Sequence, residues 1–409
     1  MKKAPSPFVS LMPIIVLVLL LFATIRTFGS DALSGGSQVS LLTTTAICIL
    51  IGMVFYKIPW KDYELAITNN IAGVATAIII LLIIGALSGI WMISGVVPTL
   101  IYYGMQIIHP SFFLASTCII CALISVMTGS SWTTIATIGI ALMGIGKAQG
   151  FEDGWIAGAI ISGAYFGDKI SPLSETTILA SSITDTPLFR HIRYMMITTV
   201  PSLVITLIIF TVAGFSHDAN NTQHIAEVAT ALNEKFHITP WLLIVPVATG
   251  ILIAKKVPSI VTLFLSTLLA AVFALIFQPD LLEEISGIAA SGFDSLFKGL
   301  MMTIYGETNL HTDNAVLTDL IATRGMSGMM NTIWLILCAM CFGGAMTASG
   351  MVGSITSIFV RFMKKTVSVV SATVCSGLFL NLTTADQYIS IILTGNMFRD
   401  IYAKKGYES

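Results

Sequence analysis

Of the 409 residues, 55% are apolar and only 10% charged, the formal net charge is −1 and the mean hydropathy is +0.90. Roughly a quarter of the residues in a water-soluble domain are charged, so this composition excludes one. The net charge says nothing about partners, and no basic patch suggests nucleic acid.

The chain opens Met1-Lys2-Lys3 and enters an uncharged run, Phe8–Ile25, closed by Arg26. Many further apolar runs follow, so this stretch is a retained first helix rather than a cleaved signal peptide. Ala32–Tyr56 is the second run, and from Leu65 to Gly146 there is no Asp, Glu, Lys or Arg over 82 residues. Tyr194–His217, Val257–Pro279, Gly325–Val360 and Thr366–Ala385 are likewise uncharged. A span takes about 20 apolar residues to cross ~30 Å of hydrocarbon, which predicts roughly ten to twelve spans, some of them broken. Inside lipid each backbone N–H and C=O needs a partner within its own segment, so the spans are helices. The expected fold is an all-α polytopic membrane protein. Positive-inside counting puts Lys2, Lys3, Lys57, Lys61, Arg190, Arg193, Lys255 and Lys256 in the cytoplasm and the acidic stretch Asp218–Glu234 outside.

Two stretches repeat one another. Gly89-Ile-Trp-Met-Ile-Ser94-Gly95-Val-Val97 aligns with Gly344-Ala-Met-Thr-Ala-Ser349-Gly350-Met-Val352 at an offset of 255 residues, which also pairs Thr128 with Thr383. Internal duplication with the site at the repeat interface is a common plan of secondary transporters. The expected organisation is N-terminal membrane helices over 1–65 and a first repeat with a broken-helix site over 66–214. An extracytoplasmic loop over 215–239 and a second repeat over 240–409, incomplete at its C-terminus, follow.

The breaks are where chemistry is expected. The first runs Thr128-Gly-Ser130-Ser131-Trp-Thr-Thr134, and the next Gly167-Asp168-Lys169-Ile-Ser171-Pro172-Leu-Ser174-Glu175-Thr176-Thr177. Asn381-Leu-Thr383-Thr384-Ala-Asp386-Gln-Tyr388 is the corresponding break of the second copy. Irregular backbone at membrane depth is tolerated only where it is buried in protein or lines a cavity. A carboxylate near the bilayer centre costs roughly 2.5–3.5 kcal/mol, which makes Asp168 and Asp386 the leading site candidates. Hydroxyls of Thr128, Ser130, Ser171, Ser174, Thr176, Thr177, Thr383 and Thr384, with carbonyls freed by unwinding, supply the oxygen that a hard cation such as Na⁺ requires. Desolvation raises a carboxylate pKa, so one group can hold either H⁺ or Na⁺. Glu175 is a further candidate facing a wetter vestibule. Lys169 has three readings: a partner for substrate charge, a counter-ion to Asp168, or a snorkelling interfacial residue. Glu307, His311 and Asp313 read as loop, and His109 before Pro110 as an interfacial histidine. Cys118/Cys121 and Cys338/Cys341 have C-x-x-C spacing within apolar runs and no histidine nearby, and read as small residues at helix contacts. No H-E-x-x-H, G-x-S-x-G or P-loop string is present, which argues against an intramembrane enzyme.

Gly167-Asp-Lys-Ile-Ser-Pro-Leu-Ser-Glu-Thr-Thr177 resembles the signature of the NhaC-type Na⁺/H⁺ antiporters. Met127-Thr-Gly-Ser-Ser-Trp132, Thr384-Ala-Asp-Gln-Tyr-Ile-Ser390 and Leu393-Thr-Gly395 resemble that family's other motifs, and the likeness covers essentially the whole chain. The resemblance implies inverted repeats with helical hairpins in a multi-pass protein of the bacterial cytoplasmic membrane. It further implies Na⁺/H⁺ exchange, or coupled exchange of small carboxylates such as malate and lactate, with no cofactor beyond the transported ions. Family members usually continue past the point where this chain ends.

Overall fold

The computed structural model describes residues 5–216, 222–308, 310, 312, 317, 318, 321–355, 366–384 and 387–404. Among them regular structure is helical, with no strand. Among the described residues, seven helices are long and apolar enough to cross a membrane: Pro7–Phe28, Gly36–Tyr56, Trp60–Ile93, Pro110–Thr128, Leu188–Ser216, Ser259–Phe277 and Gly325–Ala348. An eighth arises if Glu227–Lys235 and Pro240–Ala254, bent by 92° at their break, are one span. The chain is therefore a multi-pass α-helical membrane protein. The expected ten to twelve spans exceed this number because much apolar sequence is divided among short helices. Val96–Ile107 has only 12 residues. At 1.5 Å per residue such a helix is about 18 Å long, well short of the hydrocarbon thickness. The segment read as an extracytoplasmic loop carries a helix, Thr222–Lys235, with Val228 and Leu232 buried on one face.

The helices group into two compact units. One unit comprises Met1–Ile78, Leu179–Thr186 and Met330–Ser409; the other Ile79–Ile178 and Pro187–Met329. In the first, Gly36–Tyr56 packs against Pro7–Phe28 and against Met330–Ala348. A polar knot lies in its apolar core. Ser349 Oγ is 3.1 Å from the Tyr63 hydroxyl and 3.4 Å from Cys48 Sγ, with all three residues buried. Gly52 leaves room for this knot, since a Cβ there would lie 1.7 Å from the Tyr63 oxygen.

In the second unit, Leu87, Ile90 and Trp91 join Val97, Ile101, Ile145, Ile156, Leu263 and Ala270 in one core. Trp91 Nε1 donates to Ser266 Oγ at 3.1 Å, and Ser266 Oγ lies 2.7 Å from Thr249 Oγ1, so the indole enters the core without an orphaned donor.

The two Ser-Gly turns of the sequence repeat share one local geometry. Gly95 (φ 83°) and Gly350 (φ 68°) are both left-handed, each within a turn between two helical segments. The bonds Ser94 N–Ile90 O, Gly95 N–Met92 O and Thr99 N–Gly95 O measure 2.8, 3.1 and 2.9 Å. Each has a counterpart 255 residues on: Ser349 N–Ala345 O, Gly350 N–Thr347 O and Ser354 N–Gly350 O, at 3.0, 2.9 and 3.1 Å. Glycine suits the left-handed position because it carries no Cβ penalty.

Candidate functional site

The site forms in the second unit, where two helices approach closely and both break. Helix Phe113–Thr128 packs along Asp153–Ile170 on a stripe of small residues. A Cβ on Gly163 would lie 2.1 Å from Cys118 O, and one on Gly167 would lie 2.4 Å from Ala122 O. Such contact is possible only for glycine, and it brings one helix backbone directly against the other. Cys118 and Cys121 are free thiols buried on this seam, as their spacing predicted.

Helix Phe113–Thr128 stops at Gly129, which is left-handed (φ 68°) and donates to Ser125 O at 2.8 Å. Any side chain at Gly129 would strike the backbone of Leu173, with 2.6 Å to its carbonyl carbon. Ser130 is extended and caps the next helical turn: its Oγ accepts from Thr133 N at 3.2 Å and from Thr133 Oγ1 at 3.1 Å. Thr128 Oγ1 bonds locally to the carbonyls of Ser125 and Ser130. After Ser131–Thr134 comes one π-helical turn, Ile135–Gly139, a distortion that recurs at functional sites.

Across the seam, Asp153–Ile170 ends because Ser171 precedes Pro172, whose ring disfavours helical backbone at the residue before it. Ser171 Oγ donates to Val126 O at 2.8 Å and ties the two breaks together. Ser174 opens the next helix, Glu175–Ile183, by accepting from Thr177 N at 3.5 Å. Thr177 Oγ1 donates back to Lys169 O at 3.2 Å, satisfying a carbonyl at the end of the preceding helix.

Asp168 sits within this arrangement with its residue 6% exposed. Its Oδ2 accepts from Ser131 Oγ at 3.4 Å, the Ser174 side chain is a second hydrogen-bonding neighbour, and Lys169 Nζ stands 3.9 Å away. Lys169 Nζ donates to Thr176 Oγ1 at 3.3 Å, and that oxygen is 3.1 Å from Ser174 Oγ. One buried carboxylate thus faces hydroxyl oxygens, with one ammonium at its edge.

Of the sequence candidates, Asp168, Lys169, Ser174, Thr176 and Thr177 come together here. Ser171 is turned to the neighbouring helix, and Glu175 is exposed on the first turn of its helix. Thr128 and Ser130 are engaged in capping their own break. Ser131, absent from the candidate set, is the residue of that break that reaches the carboxylate. A capping assignment would have found it: Ser130, three residues before the amide it caps, is committed to the backbone, which leaves its neighbour to face the seam. Thr383 and Thr384 end helix Thr366–Thr384, while Asp386, His311 and Asp313 lie outside the described residues. Glu307 carries a partly exposed ion pair with Arg324 at 3.3 Å.

Fold and site together define a multi-pass helical membrane protein with an oxygen-lined carboxylate at an interrupted helix. The family model described as Na⁺/H⁺ antiporter family matches residues 163–409. The Na⁺/H⁺ antiporter NhaC of Bacillus subtilis (strain 168) is 35% identical, the match covering 90% of this chain and 78% of the relative. The malate-2H⁺/Na⁺-lactate antiporter of the same organism is 36% identical over 89% of this chain and 75% of its own. An arginine/ornithine antiporter, ArcD of Halobacterium salinarum, is 30% identical over 98% of this chain and 79% of its own. No solved structure matches. The chain belongs to the Na⁺/H⁺ antiporter family.

Proposed function

We propose that this chain is a secondary active transporter of a bacterial cytoplasmic membrane that exchanges Na⁺ for H⁺ by alternating access. The buried Asp168 carboxylate among the hydroxyls of Ser131, Ser174 and Thr176 is the observation that carries this reading. An all-oxygen donor set suits a hard alkali cation. Protonation and cation binding compete for the same carboxylate, so each ion leaves as the other arrives. Asp386, with Thr383 and Thr384, is assigned the matching role in the second repeat, and the repeats are read as inverted. Two relatives are named Na⁺/H⁺ antiporters NhaC, which supports the ion pair chosen.

The test is a pH-dye assay in everted vesicles or proteoliposomes with an acid interior, to which Na⁺, Li⁺ or K⁺ is added. Dissipation of the gradient by Na⁺ in the absence of organic anions is expected; a response that requires malate or lactate would overturn it. Ser131→Ala removes a hydroxyl hydrogen-bonded to Oδ2 and should raise the half-saturating Na⁺ concentration by about tenfold or more, as loss of a hydrogen bond to a charged group does. Ser131→Thr should restore most of it, and unchanged saturation in Ser131→Ala would remove Ser131 from the site.

A second reading is coupled exchange of small carboxylates. It is favoured by the Lys169 ammonium beside the Thr176 hydroxyl at the start of helix Glu175–Ile183, an arrangement that suits an anionic group, and by the malate/lactate relative. Labelled malate, lactate or amino-acid uptake driven by a Na⁺ gradient separates the two.

A further inference from the structure

Asp168 and Lys169 are consecutive on a helix, where side chains project about 100° apart and do not normally share a partner. They converge here because both lie in the last turn of Asp153–Ile170, next to the extended Ser171. The ammonium is nonetheless not hydrogen-bonded to the carboxylate. Nζ is 3.9 Å from Oδ2 but 3.3 Å from Thr176 Oγ1. The Asp168 side chain is 9% exposed and that of Lys169 30%, so the lysine is the more accessible of the two.

We propose that Lys169 is a resident counter-ion, held on Thr176, that neutralises the ionised Asp168 in the ion-free state and is displaced when a monovalent cation binds, so that it sets the cation affinity of the site. This rests on Asp168 being the ion-binding carboxylate. The physical case is charge counting. With Lys169 in place the pair is neutral. A cation added beside it would leave one uncompensated positive charge in a poorly solvated site, which is strongly unfavourable. The ammonium must therefore move away as the cation arrives. Its flexible four-carbon stem and its greater exposure let it do so by swinging outward. The cost of that displacement is subtracted from the cation's binding energy. A buried carboxylate without Lys169 would hold its cation more tightly and release it less readily.

The test is thermal unfolding of the purified full-length chain titrated with NaCl, choline chloride holding ionic strength constant, in wild type, Lys169→Gln, Lys169→Met, Lys169→Arg and Asp168→Asn. Removing the competing charge in Lys169→Gln and Lys169→Met should lower the half-saturating Na⁺ concentration by about fivefold or more, and Lys169→Arg should stay within about twofold of wild type. This shift is expected whether or not the variants still transport. Half-saturation unchanged or raised in both neutral variants, with the Na⁺ response lost in Asp168→Asn, overturns the counter-ion role and leaves the ion-site reading standing. A Na⁺ response that survives in Asp168→Asn overturns both. Stabilisation of the wild type by malate or lactate, lost in Lys169→Gln, makes Lys169 an anion anchor and also overturns the proposal.

Discussion

Asp168→Asn is expected to reduce Na⁺-driven dissipation of a pH gradient to background, a loss of about 100-fold or more, while the protein still inserts in the membrane. Asparagine keeps the shape of the side chain and can still accept from Ser131 Oγ, which bonds Oδ2 at 3.4 Å in the native chain. It cannot carry a negative charge, and a neutral amide in the same place neither titrates nor balances a cation. Insertion should improve slightly, because a charged side chain at membrane depth is the costly form. Asp168→Glu retains the charge but moves it by one methylene relative to Ser131 and Ser174, and should leave no more than about a tenth of the activity, since misplacement of a reacting group by about 1 Å can cost as much as ~100-fold. Retention of half the native rate by Asp168→Asn would remove this carboxylate from the transport cycle.

The second large effect concerns packing. Gly167→Val should prevent recovery of a monodisperse protein from the membrane, or lower its thermal midpoint steeply. A Cβ at Gly167 would meet three atoms of the facing helix: Ala122 O at 2.4 Å, Ser125 Cβ at 2.5 Å and Val126 N at 2.6 Å. Backbone atoms cannot rotate out of the way, so the helices must part. Overpacking of this kind costs about 1–3 kcal/mol or more, and here it would also shift Asp168, the next residue. Gly158 on the same helix is the control. Its nearest neighbours are ring atoms of Phe210 at 3.8 and 3.9 Å, so Gly158→Ala should be tolerated. Equal recovery and stability of Gly167→Val and wild type would show that the two helices do not pack as described.

A good part of this molecule was legible as sequence. Membrane insertion follows from hydropathy alone, because transfer free energies depend on residue type. The break positions also followed from local chemistry: Pro172 disfavours helix at Ser171, and Gly129 takes a left-handed turn. Asp168 stood out because an ionisable group among apolar helices is costly. The C-x-x-C pair of Cys118 and Cys121 lies on the packed seam, as small residues one helical turn apart should.

Tertiary structure decided which hydroxyls face the carboxylate. Ser130 and Ser131 are adjacent and chemically alike, but one caps the turn and the other points across the seam, a rotation that depends on the entry angle of the helix. It also decided that the long uncharged run includes a helix as short as Val96–Ile107, and that the N-terminal helices group with segment Met330–Ser409 rather than with their chain neighbours. These outcomes depend on contacts between residues distant in the chain. Hydropathy and local propensity, which report on a residue and its near neighbours, carry no information about them.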